Sequence, residues 1–105
     1  MAQEQNLGEF ISLAEAQLYV SEFSKRNPDA TKAYSASGEK LQQILAQDKC
    51  IGIRIYNGYD GTNQKNNLVI LGIDEEYNDM DHGLIMDKFG MCPPNCSATG
   101  VLAQQ

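Results

Sequence analysis

No stretch of this 105-residue chain holds about 18 consecutive apolar residues, the length a helix needs to cross a membrane, so a transmembrane helix is excluded. Residues 1–9 are polar and show no basic start leading into an apolar stretch. They do not read as a secretory signal, and the cytoplasm is the expected compartment. Basic residues are scarce: eight Lys and Arg stand against 14 Asp and Glu, for a net charge of −6. A surface of that sign repels phosphate backbones, which are gripped by Lys/Arg stripes, so nucleic acid is not an expected partner, and neither is a membrane. Histidine occurs once, at His82. The chain has no nucleophile elbow, no phosphate-cradling glycine loop and no paired-histidine metal motif. No catalytic set is recognisable, and the expectation leans away from an enzyme.

What is present suits a folded unit. With 42% hydrophobic and 21% charged residues the chain is too apolar for a disordered polymer of this charge, and 11.6 kDa fits a single domain over 1–105, with 1–11 expected to be flexible. A chain of this length buries only about 60–70% of its unfolded surface, so its stability margin is thin. A homodimer or another protein partner would add the missing burial.

The order of elements follows from periodicity and punctuation. Ser12-Leu13-Ala14-Glu15 has capping-box spacing, and Leu13, Ala16, Val20 and Phe23 recur at helical intervals until Asn27-Pro28, where the residue before proline disfavours helix. These signals predict a helix over 13–26. Residues 28–37 are small and polar apart from Tyr34 and read as a connection that orders by docking Tyr34. Ser37 then caps a helix over 38–47, with Leu41, Ile44 and Leu45 as its apolar stripe.

From Cys50 the period changes to two. Ile51, Ile53 and Ile55 alternate with Gly52, Arg54 and Tyr56, as a half-buried strand requires. Residues 57–61 tolerate positive φ, and 67–73 is a second β-rich run, so strands at 50–57 and 67–73 form an antiparallel hairpin with a long polar loop. The fold class is α+β. Two N-terminal helices are expected to pack on a small antiparallel sheet built around this hairpin, and the chain from Gly90, which contains Cys and Pro, is expected to be an irregular tail. Residues 83–89 suit a short helix or a strand equally.

Three constellations carry potential chemistry. Cys92-Pro93-Pro94-Asn95-Cys96 holds two thiols four positions apart with two prolines stiffening the loop. Three readings apply: a redox pair, metal ligands, or small buried apolar residues. An odd total of three cysteines fits reduced thiols, a metal site or one redox pair with a spare better than a secreted disulfide framework. Metal binding at Cys92 and Cys96 would extend to Cys50 and His82 as a Cys₃His set suited to zinc, although strong zinc signatures come as two short ligand pairs.

The second constellation, at 74–82, is rich in oxygen ligands, but Asp79 occupies the glycine position of a calcium loop and Ile85 the position of its bidentate glutamate. It reads as a solvated turn. A proton-transfer site would use His82 with Asp79 or Asp81 beside it. The third constellation is a binding face at Arg54, Tyr56 and Tyr59. The competing reading there has Arg54 paired with a carboxylate of the acidic loop and Tyr56 packed across the strands.

Gly52-Ile53-Arg54-Ile55-Tyr56-Asn57-Gly58-Tyr59-Asp60, the Asn78-Asp79-Met80 turn and the terminal Cys92-Pro-Pro-Asn-Cys96 together resemble a group of small bacterial proteins of unknown function. The resemblance implies no activity, cofactor or catalytic residue. It does imply that Cys92 and Cys96 act as a pair. The leading expectation is a noncatalytic binding or assembly module. The alternative is a metal-binding or thiol-redox protein using Cys92 and Cys96, and the third is a small enzyme around His82 and the acidic loop.

Overall fold

A computed structural model describes residues 7–104. In chain order the elements are helix α1 (Leu13–Arg26), strand β1 (Ala33–Ser35), helix α2 (Gly38–Leu45), strands β2 (Gly52–Asp60), β3 (Lys65–Ile73), β4 (Ile85–Met86) and β5 (Gly90–Cys92), and a 3₁₀ turn at Val101–Gln104. The class is mixed α and β. The flexible start expected over 1–11 lies partly outside the described residues, and from 7 to 12 the backbone has neither helix nor strand.

The chain divides into two compact units. One is built around Ala36–Phe89; the other joins Glu9–Ser35 to the segment from Gly90 onward.

In the first unit β2 and β3 form the hairpin, paired from Gly52 opposite Ile73 to Asp60 opposite Lys65, with β4 antiparallel on the far edge of β3. The long loop expected at 58–66 is corrected to four residues, 61–64. The physical reason is that Gly58 and Asp60 keep extended geometry and pair with Asn67 and Lys65, so the glycines and asparagines of 57–60 are spent inside the strand. The turn is closed by Asp60, whose Oδ1 accepts from the N–H of Thr62 (3.0 Å) and Asn63 (3.3 Å) and whose Oδ2 accepts from Asn63 Nδ2 (2.8 Å), while Gln64 takes the left-handed conformation.

Burial along β3 rises from exposed at Lys65 to buried at 70–73. The packed end lies with α2, whose Ile44 is buried and which contacts both strands of the hairpin. Ser37 caps α2 by accepting from Lys40 N–H (3.3 Å). At its other end Gln47 donates to the Ile44 carbonyl (2.9 Å) and accepts from Leu84 N–H (3.0 Å), which ties the helix terminus to the chain entering β4. Gly72 is required here: a Cβ at that position would stand 2.9 Å from Cys50 Sγ and 3.2 Å from both Gln47 Nε2 and Met80 Sδ.

The second unit contains α1, the β1–β5 pair and the 3₁₀ turn. Ser12 Oγ accepts from Glu15 N–H (3.1 Å), and Asn27 closes the other end by bonding to the Phe23 carbonyl through its backbone N–H (2.9 Å) and Nδ2 (3.2 Å). These caps fix α1 at the bounds its sequence predicts. Two expectations change. The connection at 28–37 contains β1, and the supposedly irregular tail contains β5; they pair antiparallel, Tyr34 opposite Met91 and Ala33 opposite Cys92. Helix α1 groups with the β1–β5 pair and contacts the 3₁₀ turn, while α2 packs on the hairpin.

Candidate functional site

In the unbroken strand β2, side chains alternate, so Arg54 and Tyr56 share one face and Tyr59 projects from the other. The three do not form one binding face. Arg54 stands opposite Leu71, and its guanidinium crosses β3 to Asp79, which bridges to Ile73 on the far edge. Arg54 Nη1 lies 2.5 Å from Asp79 Oδ1, Tyr56 donates its hydroxyl to Asp79 Oδ2, and Arg54 Nη2 donates to the Tyr77 carbonyl (3.3 Å). The guanidinium carbon also sits 4.6 Å from the centre of the Tyr77 ring. Both Asp79 oxygens and the Arg54 fork are therefore occupied within the protein. The cluster locks the acidic turn to the hairpin, and Arg54 is paired to a carboxylate of that turn, the competing reading of this face.

Its electrostatics give a signed consequence. The Tyr56 hydroxyl is the main cause that holds the Asp79 carboxyl below its ordinary value; burial opposes it, and Arg54 adds to the lowering. The bond to Asp79 raises the Tyr56 phenol. A carboxyl depressed in the folded state contributes stability above the unfolded pKa and loses it as pH falls through the folded one. Asp60 behaves the same way, depressed first by the Asn63 side chain. We expect the urea midpoint of the native protein to fall as pH drops below about 4, and Asp79→Asn to flatten that acid limb without abolishing it, because the Asp60 contribution remains. An unchanged acid limb in Asp79→Asn would remove Asp79 from this role.

The other candidates of this unit are dispersed in purpose. His82 is fully exposed, with Asp81 Oδ1 3.7 Å away and Asp79 committed to Arg54 and Tyr56. Asp74 turns its carboxylate inward on its own loop, accepting from the N–H groups of Glu76 and Asn78 at 2.9 Å each. Cys50 is a free, half-buried thiol donating to the Gly52 carbonyl (3.2 Å). Cys50 and His82 belong to one unit and Cys92 and Cys96 to the other. Among the described residues no group of three or more His, Cys, Asp or Glu side chains is placed to share a metal ion.

The terminal motif is built differently from a run of buried thiols. Cys92 and Cys96 are joined by a disulfide, their Cα atoms 4.7 Å apart, which leaves Cys50 as the spare thiol. Both peptide bonds entering Pro93 and Pro94 are cis, and Asn95 N–H returns to the Met91 carbonyl (2.8 Å). Cys92 is 7% exposed, anchored by β1 and by Lys32 N–H donating to its carbonyl (2.7 Å), whereas Cys96 lies at the surface. As a bonded pair they offer no thiolate to a metal.

Beside the disulfide lies a cavity of about 310 Å³, walled by Val20 of α1, Tyr34 of β1, Leu102 of the 3₁₀ turn and both half-cystines. A second cavity of about 300 Å³ runs along α1 between Tyr19, Phe23 and Tyr34. Sequence reasoning singled out the cysteines and the docking of Tyr34. It missed the partnership of Val20 and Leu102, which depends on the β1–β5 pairing. Comparison of the chain with protein-family models, with curated proteins and with solved structures finds no match. Among the described residues no helix is long and apolar enough to cross a membrane.

Proposed function

We propose that the protein is a noncatalytic assembly module that associates with a second copy of itself through α1. One observation carries this reading. The 14-residue helix α1 has no buried residue, while Leu18 is 69% and Tyr19 62% exposed, with Leu13 and Phe23 also at the surface and Phe10 and Ile11 exposed just before it. Large apolar side chains left in water over four helical turns are the signature of an unfilled interface. The unit that carries α1 is poorly filled, with Cys92 its one buried apolar residue among the described ones, so further burial has the most to contribute there.

Charge favours a two-fold partner. Glu15 lies in the first turn of α1 and Lys25 in its last, with Arg26 already paired to Glu22 (2.9 Å), so two helices packed antiparallel set Glu15 of each toward Lys25 of the other. Truncating aromatic anchors at such a surface costs a tenfold loss of affinity or more, on the order expected for interface hot spots. Sedimentation equilibrium is expected to show a dimer that Tyr19→Glu with Phe23→Glu weakens by at least about tenfold while circular dichroism is unchanged. Unaltered association in that variant would move the interface off α1.

A second reading rests on the bonded sulfurs. In a reducing compartment a disulfide is usually a transient catalytic or sensing couple, and in an oxidising one a permanent staple. The surface position of Cys96 against the buried Cys92 favours a couple that thiols can reach. Thiol titration of the folded protein under mild oxidant and reductant, with elemental analysis for metal, separates a redox pair from a zinc site and from a staple.

A further inference from the structure

We propose that Cys92–Cys96 exchanges with a small apolar thiol seated in the adjoining cavity; this rests on the redox reading of the pair. The cavity has both half-cystines in its wall, and its other surfaces, Val20, Ala33, Tyr34 and Leu102, are predominantly apolar. Its volume of about 310 Å³ is at the small end of ligand pockets, room for one aromatic ring or a short alkyl chain. No carboxylate is among the residues that line it, and Lys32 is, so an incoming thiolate meets no anion and a cationic side chain borders the site.

The difference between the two sulfurs sets the order of events. Cys92 is enclosed by β1 and α1 neighbours, and Cys96 is exposed. A docked thiolate attacks Cys96 Sγ. The new bond joins its sulfur to Cys96 as the Cys92–Cys96 bond breaks, and the electron pair leaves on Cys92, which takes a proton from water. A second equivalent of thiol attacks the sulfur of the first, releasing the small-molecule disulfide and leaving Cys96 as a thiol. In sum two thiols are oxidised to one disulfide, and the protein disulfide gains two electrons and two protons.

The test uses the full chain and two monothiols of similar acidity, benzyl mercaptan and 2-mercaptoethanol, with reduction followed by alkylation and mass. The native protein is expected to be reduced about tenfold faster per thiolate by benzyl mercaptan, the preference vanishing in urea, where no cavity remains. Ala33→Leu, which fills the cavity from β1 opposite Cys92, is expected to abolish the preference while circular dichroism shows the fold retained. Cys92→Ser should accumulate a mixed disulfide with dibenzyl disulfide, and Cys96→Ser should resist it. Equal rates for the two thiols on the folded wild type would overturn the inference and leave the redox reading standing. A pair that neither thiol reduces until urea unfolds the chain would overturn both.

Discussion

Ile73→Ala is expected to destabilise the protein by about 2–5 kcal/mol, the range for deleting most of a buried isoleucine side chain. Ile73 is 1% exposed, the most enclosed large side chain among the described residues. It ends β3 at the packed end of the hairpin, opposite Gly52 on one side and bridged to Asp79 on the other, and its carbonyl accepts from Ile51 N–H (2.9 Å). With neighbours on both strand edges, the site cannot collapse freely onto the vacated volume, which places the cost in the upper part of that range. Small domains have only about 5–15 kcal/mol in total, so the midpoint of thermal unfolding should fall by at least about 10 °C. Ile55→Ala is the internal control. Ile55 is 54% exposed on the same hairpin, and its loss should cost less than about 1 kcal/mol. Comparable losses for the two variants would mean that the hairpin buries a different end.

Removing the disulfide with Cys92→Ser and Cys96→Ser is expected to cost about 2 kcal/mol, the loop-closure value for so short a ring, with the sulfurs only four positions apart. The cost should be local. Cys92 is the one buried apolar residue of its unit among those described, and its carbonyl holds Lys32 N–H, so the β1–β5 pair depends on where Cys92 is fixed. Amide hydrogen exchange should accelerate at Lys32 and along 33–35 and 90–92, while the amides paired between β2 and β3 keep their protection. Uniform acceleration in both units would show that they unfold as one. Protection unchanged everywhere would show that the pairing of β1 with β5 does not need the covalent link.

The elements that carry strong local signals were legible in the sequence. Ser12, Glu15 and Asn27-Pro28 mark α1 at both ends because capping and the proline restriction act within a few residues. The β-rich run ending at Ile73 and the alternation from Ile51 mark the hairpin for the same reason. Strands β1 and β5 were not legible, because three residues are too few to show a period and their pairing joins segments far apart in the sequence. The turn was misplaced because tolerance of positive φ is not use of it. Gly58 stays extended next to the Asn67 side chain, and the left-handed position falls to Gln64.

The candidate sites divide along the same line. The pairing of Arg54 with a carboxylate of the acidic turn could be anticipated from charge, but only the bridge at Ile73 selects Asp79 from its acidic neighbours. Tyr59 is close to Arg54 and Tyr56 in sequence, but strand alternation sends it to the other side. For the cysteines, spacing leaves three chemistries open, because it does not specify whether the two sulfurs meet; in the structure they are bonded.

The mass of the native chain in solution tests the proposed assembly most directly. Light scattering on a size-exclusion peak should give twice 11.6 kDa, about 23 kDa, at micromolar concentration, falling to 11.6 kDa for Tyr19→Glu with Phe23→Glu. A wild-type mass of 11.6 kDa at every concentration up to the millimolar range would contradict self-association through α1.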